Sequence, residues 1–440
     1  MLDATMRSLA LASALAAASA SGLHAQQNAD TGGVEAPEGG LQGFSQERLD
    51  RIATAMEREI EDRTIPGAVT LIARNGEIVH LEAHGHLDAD GTEPMTTDAL
   101  FRAFSMTKPV VSVAAMMLAE QGEISLRDPI TDYLPEFADM TVLVESDDAE
   151  SEGEGEGGEP TYEEVPAENP ITVQDLLRHT SGFGYSNNVP KPIEDAYNEA
   201  DIESRETDFS PDEFVSRLAE IPLVYQPGTR WHYGLSTDVL GVLLERASGQ
   251  RLDELLEEMI FDPLAMEDTT FQVEGDETAR LADAFDDDPQ KESQWQWVRV
   301  EEDPGERYRL GGAALVTTAE DYFRFAQMVL NGGELDGERL LSPETVEHML
   351  SDHIVGLEGD PLPTTGPGYG FGLGWGVRKQ EGVGYSPGSV GDAMWAGAGG
   401  TSFTIDPQED IVAVFMAAAP STRQHTRFLF KNLVYGALTE

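Results

Sequence analysis

Residues 101–110 read Phe-Arg-Ala-Phe-Ser-Met-Thr-Lys-Pro-Val, and the chain stays apolar almost all round from Met106 to Gly122. A helix that is hydrophobic on every face is buried in a core. The pattern therefore predicts a buried helix whose C-terminal cap is Gly122, where a left-handed residue is wanted. Pro109 is tolerable because it falls in or near the first turn, where its missing N–H costs little. Lys108 interrupts this surface. It is one of only five lysines in 440 residues, and a charge on an otherwise apolar helix is costly unless it has work to do. Residues three apart project from one helical face, so the Ser105 hydroxyl and the Lys108 amine can meet. A serine hydroxyl is a weak nucleophile until a base takes its proton, and lysine serves where burial lowers its pKa. The helix N-terminus adds a positive dipole end and free N–H groups where an oxyanion would form. Ser-x-x-Lys alone is a weak signal, since chance matches are common.

Working outward, Ser45 is placed to cap a helix in which Leu49, Ile52, Ala53, Met56 and Ile60 recur at helical spacing. The runs Ala68–Ala73 and Glu77–His84 flank Asn75-Gly76, a strong hairpin signal. Towards the other end, Thr401–Ile405 and Ile411–Ala417 are strand-like, and Ser421 is placed to cap a final helix bearing Phe428, Leu429, Leu433 and Val434. A further helix is expected from about Thr237 to Ala247, capped by Ser236. Both ends of the chain thus offer antiparallel strands and a helix. The expectation is an α/β (α+β) layer built from the two ends, with a largely helical region, roughly 111–304, inserted between them.

Composition sets the setting. The chain is 40% hydrophobic and 25% charged, as globular proteins are. Residues 1–25 read as an export signal: Arg7 is followed by a Leu/Ala/Ser run to Ala20, and Leu23-His24-Ala25 approximates a cleavage site. That implies a periplasmic or secreted protein without stable membrane insertion. Residues 26–44 read as a linker, leaving 45–440 as the folded domain. There is no cysteine, so disulfides, thiolate metal sites and a cysteine nucleophile are excluded. Against 28 Lys+Arg stand 81 Asp+Glu, a formal net charge of −53. Such a field repels nucleic acid and anionic lipid, and it is best tolerated in a salty medium. Residues 145–169, with their SDDAESEGEGEGGEP core, have too few apolar groups to offset ordering entropy and read as a disordered acidic loop.

The wider motifs make the Ser105 region specific. They are IPGAVTLIARNGEIVH before it, FRAFSMTKPV around it, ITVQDLLRHTSGF at Ile171–Phe183 and YQPGTRWHYGLSTDVLG at Tyr225–Gly241, then GGAALVTTAEDYFRF at Gly311–Phe325 and GGTSFTIDP at Gly399–Pro407. In this order, over roughly Ser45–Leu438, the chain resembles the serine β-lactamase and penicillin-binding-protein superfamily, in particular class C β-lactamases and the family VIII carboxylesterases. The resemblance implies the β-lactamase/transpeptidase-like fold, an antiparallel sheet flanked by helices beside an all-helical lobe. It gives Tyr233 the position of the family's Tyr-x-Asn tyrosine, a proton relay with Lys108. Leu235 stands where the asparagine is usual, and Trp395-Ala396-Gly397 replaces Lys-Thr-Gly, as in family VIII. Ala398 takes the position whose N–H completes the oxyanion hole with that of Ser105.

These departures decide the expected substrate. Leu235 and Trp395 remove an amide for a lactam side chain and a cation for its carboxylate. With Ala396 and Gly397, they are expected to contact a small-molecule ester. A class C-type β-lactamase or D-Ala-D-Ala carboxypeptidase shares the core and is the alternative. No metal or cofactor is called for, and the oligomeric state is not legible. Gly384-Tyr385-Ser386-Pro387-Gly388 fits a Gly-x-Ser-x-Gly elbow but lacks the strand and helix that motif needs. His84 and His86 could pair on a strand, yet no third ligand is evident. His179 is expected to support structure, and His232 to point away from Tyr233. Trp231, Trp375 and Trp395 are candidate pocket walls.

Overall fold

The structure, a computed structural model, describes residues 41–146, 160–203, 209–301, 305 and 307–439. The expected export signal and most of the linker lie outside them. Helix α1 spans Gln46–Glu61, and Leu49, Ile52 and Met56 form its buried stripe. Strands β1 (Gly67–Arg74) and β2 (Glu77–Gly85) then fold back on each other. Asn75 and Gly76 both take positive φ, 54° and 78°, as a two-residue type I′ turn demands, which is why Asn-Gly stands there. Helix α2, Thr107–Gln121, ends on Gly122 at φ 80°. Helices α3 (Ser236–Ser248) and α4 (Ala319–Leu330) follow. The chain then lays down β3 (Tyr369–Phe371), β4 (Gly376–Arg378), β5 (Ala393–Ala396), β6 (Ser402–Asp406) and β7 (Ile411–Ala417), and closes with helix α5 (Arg423–Ala437).

The seven strands form one sheet in the order β2-β1-β7-β6-β5-β4-β3, every neighbouring pair antiparallel. β1 pairs with β7, so the two ends of the chain share a sheet. Alternation then sorts the side chains between two cores. Ala68, Ile72, Ala413 and Phe415 pack under α1 and α5, against Ile52, Met56, Phe430 and Val434. Val69, Leu71, Val412 and Val414 face the larger core, which contains α4 and the apolar surfaces of α2 and α3. The mixed architecture, antiparallel sheet flanked by helices, is the one expected.

Several local expectations are corrected. Ser45 stands at the start of α1 but makes no capping bond from its side chain. Ser236 lies inside α3, its Oγ 2.9 Å from Ser181 Oγ. Ser421 falls one residue short of the α5 cap and instead donates to Asp288. Phe44, read as linker, is buried and bridges Leu438. Residues 145 and 160–169 are not a loose acidic loop. Thr141–Glu145 pairs with Tyr162–Pro166 in an antiparallel hairpin, because Val142 and Leu143 are buried and anchor the first strand. Residues 147–159 lie outside the described residues. No described helix is long and apolar enough to cross a membrane.

Candidate active site

Ser105 sits in a 3-10 turn, Phe104–Met106, that runs directly into α2. Phe104 is held at φ 47°, a conformation a bulky residue adopts only when its surroundings impose it. Those surroundings are specific. The Ala103 N–H donates to Leu315 O at 2.7 Å, Thr401 Oγ1 donates to Ala103 O at 3.2 Å, and Tyr322 OH donates to Met106 O at 2.9 Å. Just past β5, Gly397 passes so close that a Cβ there would collide with Thr401 Oγ1 and Ala103 O. The glycine lets the strand edge lie against the serine turn.

Around the serine the predicted residues converge. Ser105 Oγ lies 2.8 Å from Tyr233 OH and 3.3 Å from Lys108 Nζ. Lys108 is fully buried. Its amine also donates to Gly312 O at 2.7 Å and Tyr185 OH at 3.1 Å, and it lies 4.8 Å from the Tyr233 ring centroid. The Trp395 indole N–H approaches Tyr233 OH at 3.4 Å. A serine is thus brought within hydrogen-bond reach of a phenol and an amine, the arrangement that lets a proton leave a nucleophile as it attacks.

Sequence reasoning missed three members of this group. Tyr185 lies two residues past the Ile171–Phe183 motif, and nothing in its spacing marks it. Burial first, then Tyr233 and Asp238, holds its phenol well above the usual range. Asp238 is fully buried on α3, its Oδ1 accepting from the Gly312 N–H at 3.1 Å, while its Oδ2 has no partner among the described residues. Burial raises it to about 6, against the pull of Lys108. Gly312 must be glycine, since a Cβ would strike Asp238 Oδ2 and crowd Lys108 Nζ. Asp238 carried a legible signal, the one that singled out Lys108: a charge on a buried helical face. His179 packs its ring 4.8 Å from that of Tyr233, and burial, then Lys108, holds it well below its ordinary pKa, hence neutral.

Ser105 and Tyr233 open on a cavity of about 770 Å³. Ala396, Gly397 and Ala398 line it, as does Trp231, stacked at 5.9 Å on Tyr233. Two expected contact residues do not. Leu235 is 1% exposed, packed in the main core at the start of α3, and Trp395 is likewise 1% exposed, its indole spent on Tyr233. Trp375 is core, stacked on Phe325. His232, expected to point away, lines the cavity. The expectation that no cation awaits a carboxylate is corrected as well: Arg423 and Arg427 of α5 reach the same cavity. Arg427 donates to Thr364 O at 2.7 Å, its Nε is unpartnered among the described residues, and burial, then Arg423, lowers it to about 9, still charged at neutral pH. The decoy Ser386 lies in the β4–β5 loop, away from this cavity, and its carbonyl accepts from Arg378. His86 sits beyond β2, bridging Pro94, and does not pair with His84.

Comparison with known proteins identifies the family. The Beta-lactamase family model matches residues 50–433. Protein Rv1367c of Mycobacterium tuberculosis is 35% identical over 366 residues, 82% of this chain and 87% of that protein. Esterase EstB of Burkholderia gladioli is 32% identical over 375 residues, 81% of this chain and 86% of that protein. Among solved structures, EstCE1, a hydrolase with promiscuous acyltransferase activity, superposes with a TM-score of 0.73 at 25% identity, covering 89% of this chain and 99% of its own. The chain belongs to the Beta-lactamase family and is a serine hydrolase on that family's fold.

Proposed function

We propose that the protein is an exported carboxylesterase working through an acyl-enzyme on Ser105. Ser105 Oγ attacks the ester carbonyl while the Lys108–Tyr233 pair takes its proton. The backbone N–H groups of Ser105 and Ala398 receive the oxyanion. The same pair returns the proton to the leaving alkoxide, and water then hydrolyses the acyl group. The observation that carries this reading is the placement of Ser105 Oγ at 2.8 Å from Tyr233 OH and 3.3 Å from Lys108 Nζ. The likeness to Esterase EstB favours an ester over a lactam.

A β-lactamase or D-Ala-D-Ala carboxypeptidase is the second reading, and Arg423 with Arg427 is the observation that favours it, because a lactam carboxylate could reach them. The test compares kcat/KM for short-chain p-nitrophenyl esters, penicillins and cephalosporins on one preparation, with intact mass after a fluorophosphonate. The expected result is a single adduct on Ser105 and an ester preference of several orders of magnitude. Lactam turnover equal to that of the best ester would promote the second reading.

A further inference from the structure

Outside the catalytic cavity, the face of β2 beneath α1 gathers an unusual set of side chains. His80, Glu82 and His84 alternate along the strand and so project from one face. Thr70, opposite Glu82 on β1, projects beside them. His80 and His84 are 6% and 9% exposed, while Glu82 keeps an edge to solvent. One ligand atom from each of the three lies within 4.8 Å of the others. Each histidine faces its own carboxylate oxygen: His80 Nδ1 lies 3.8 Å from Glu82 Oε1, and His84 Nε2 lies 3.9 Å from Glu82 Oε2. Tetrahedral bonds of about 2.0–2.2 Å to nitrogen and oxygen put ligand atoms roughly 3.3–3.6 Å apart. Metal binding therefore asks the ligand atoms, now within 4.8 Å of one another, to draw together by up to about 1.5 Å.

We propose that His80, Glu82 and His84 form a three-ligand Zn²⁺ site on one face of β2. His80 binds through Nδ1, His84 through Nε2 and Glu82 through its carboxylate, leaving the fourth position to water at the exposed edge. Imidazole and carboxylate are ligands Zn²⁺ accepts readily. His80 Nε2 lies 2.8 Å from Thr70 Oγ1, so in the metal-bound form Thr70 is placed to accept the Nε2–H while Nδ1 takes the metal. That is the supporting bond ligating histidines commonly make. The competing account is a metal-free ladder in which Thr70 Oγ1 bridges His80 and His84, at 2.8 and 3.0 Å.

The two accounts separate by titration. Full-length protein without a polyhistidine tag, stripped with EDTA and desalted, is titrated with Zn²⁺ against a chromophoric chelator, and thermal unfolding is followed with Zn²⁺ or Mg²⁺. We expect one equivalent bound at least tenfold more weakly in Glu82→Gln and lost in His84→Asn. Zn²⁺ should raise Tm by a few degrees in the unsubstituted protein alone, and Mg²⁺ should not reproduce this. Glu82→Gln is isosteric and half-exposed, so it guards against misfolding as the cause of loss. Absence of a tight equivalent in the unsubstituted protein, or its full retention in both variants, overturns the site.

Discussion

Lys108 is accommodated in a fully buried position because three oxygens lie within hydrogen-bond reach of its amine and an aromatic ring faces it. The same contacts aim it at Ser105. Ser105→Ala should therefore abolish ester turnover and fluorophosphonate labelling, whereas Ser386→Ala should leave both. Lys108→Ala and Tyr233→Phe should each cost roughly 10²–10⁴-fold in kcat, the range of general-base contributions, read from steady-state kinetics. Asp238 gives a pH prediction. Its folded pKa, about 6, lies above the ordinary 3.8, so the folded state holds this proton more tightly than the unfolded chain does. The stabilisation is complete below about pH 4 and is lost as pH rises through 6. Asp238→Asn has no such proton, so its Tm should fall less than that of the unsubstituted protein between pH 4.5 and 7.5, by about 1–3 °C. Equal changes in the two proteins would remove Asp238 as the source. At this scale the sequence is informative wherever a polar group breaks an apolar pattern, as Lys108 and Asp238 do. Tyr185 gives no such signal, because a tyrosine near a loop is ordinary and only tertiary packing puts its hydroxyl 3.1 Å from Lys108 Nζ.

Among elements, the serine turn and the end of β5 must fit together closely. Gly397→Ala inserts a methyl where Thr401 Oγ1 and Ala103 O already stand. It should lower kcat at least tenfold while costing Tm only a few degrees, since the turn shifts but the sheet remains; unchanged kcat would show that the strand edge yields. The hairpin of Thr141–Glu145 with Tyr162–Pro166 makes a contrasting prediction. Its strands are already in register up to Glu145 and Tyr162, and Ser146 N–H donates to Thr161 O at 2.8 Å. Replacing residues 147–159 with a short Asn-Gly connection should leave Tm and turnover nearly unchanged, because loop length costs little. A large cooperative loss of stability would show that those residues are bound. Elements are legible in proportion to their periodicity. The β1–β2 hairpin and α2 appear within a residue of their expected limits, since Asn-Gly and Gly122 mark the points where φ turns positive. The 141–166 hairpin is hidden because its second strand, Tyr-Glu-Glu-Val-Pro, is polar and takes its order from the partner strand and not from its own pattern. The serine caps fail for a similar reason: neighbouring groups such as Ser181 and Asp288 offer those hydroxyls better partners.

For the whole molecule, charge is the dominant quantity. With 81 acidic and 28 basic side chains, many carboxylates have no cation to answer them, and their mutual repulsion opposes the compact state. Salt weakens this repulsion over a distance set by the Debye length, about 10 Å at 0.1 M and about 3 Å at 1 M. Repulsion between exposed carboxylates is spread over such distances, so most of it should vanish between those concentrations. The contacts that hold the nucleophile are different. Ser105 is 8% exposed and Lys108 fully buried, and buried pairs are screened far less. Exposed ion pairs such as Arg51–Glu47 lose some strength in salt, but each is worth at most about 1 kcal/mol, and acidic groups greatly outnumber them. Net stability should therefore rise with NaCl while the chemistry changes little. We predict that Tm increases by several degrees from 50 mM to 2 M NaCl, and that kcat for a neutral short-chain ester at 25 °C stays within about twofold. Sodium chloride is the proper choice, since sulfate strengthens apolar burial on its own account. EDTA should be present throughout, so that a contaminating metal at His80, Glu82 and His84 cannot mimic the effect. A flat or falling Tm would show that the acidic surface is already balanced within the fold and would remove any adaptation to salt from its explanation.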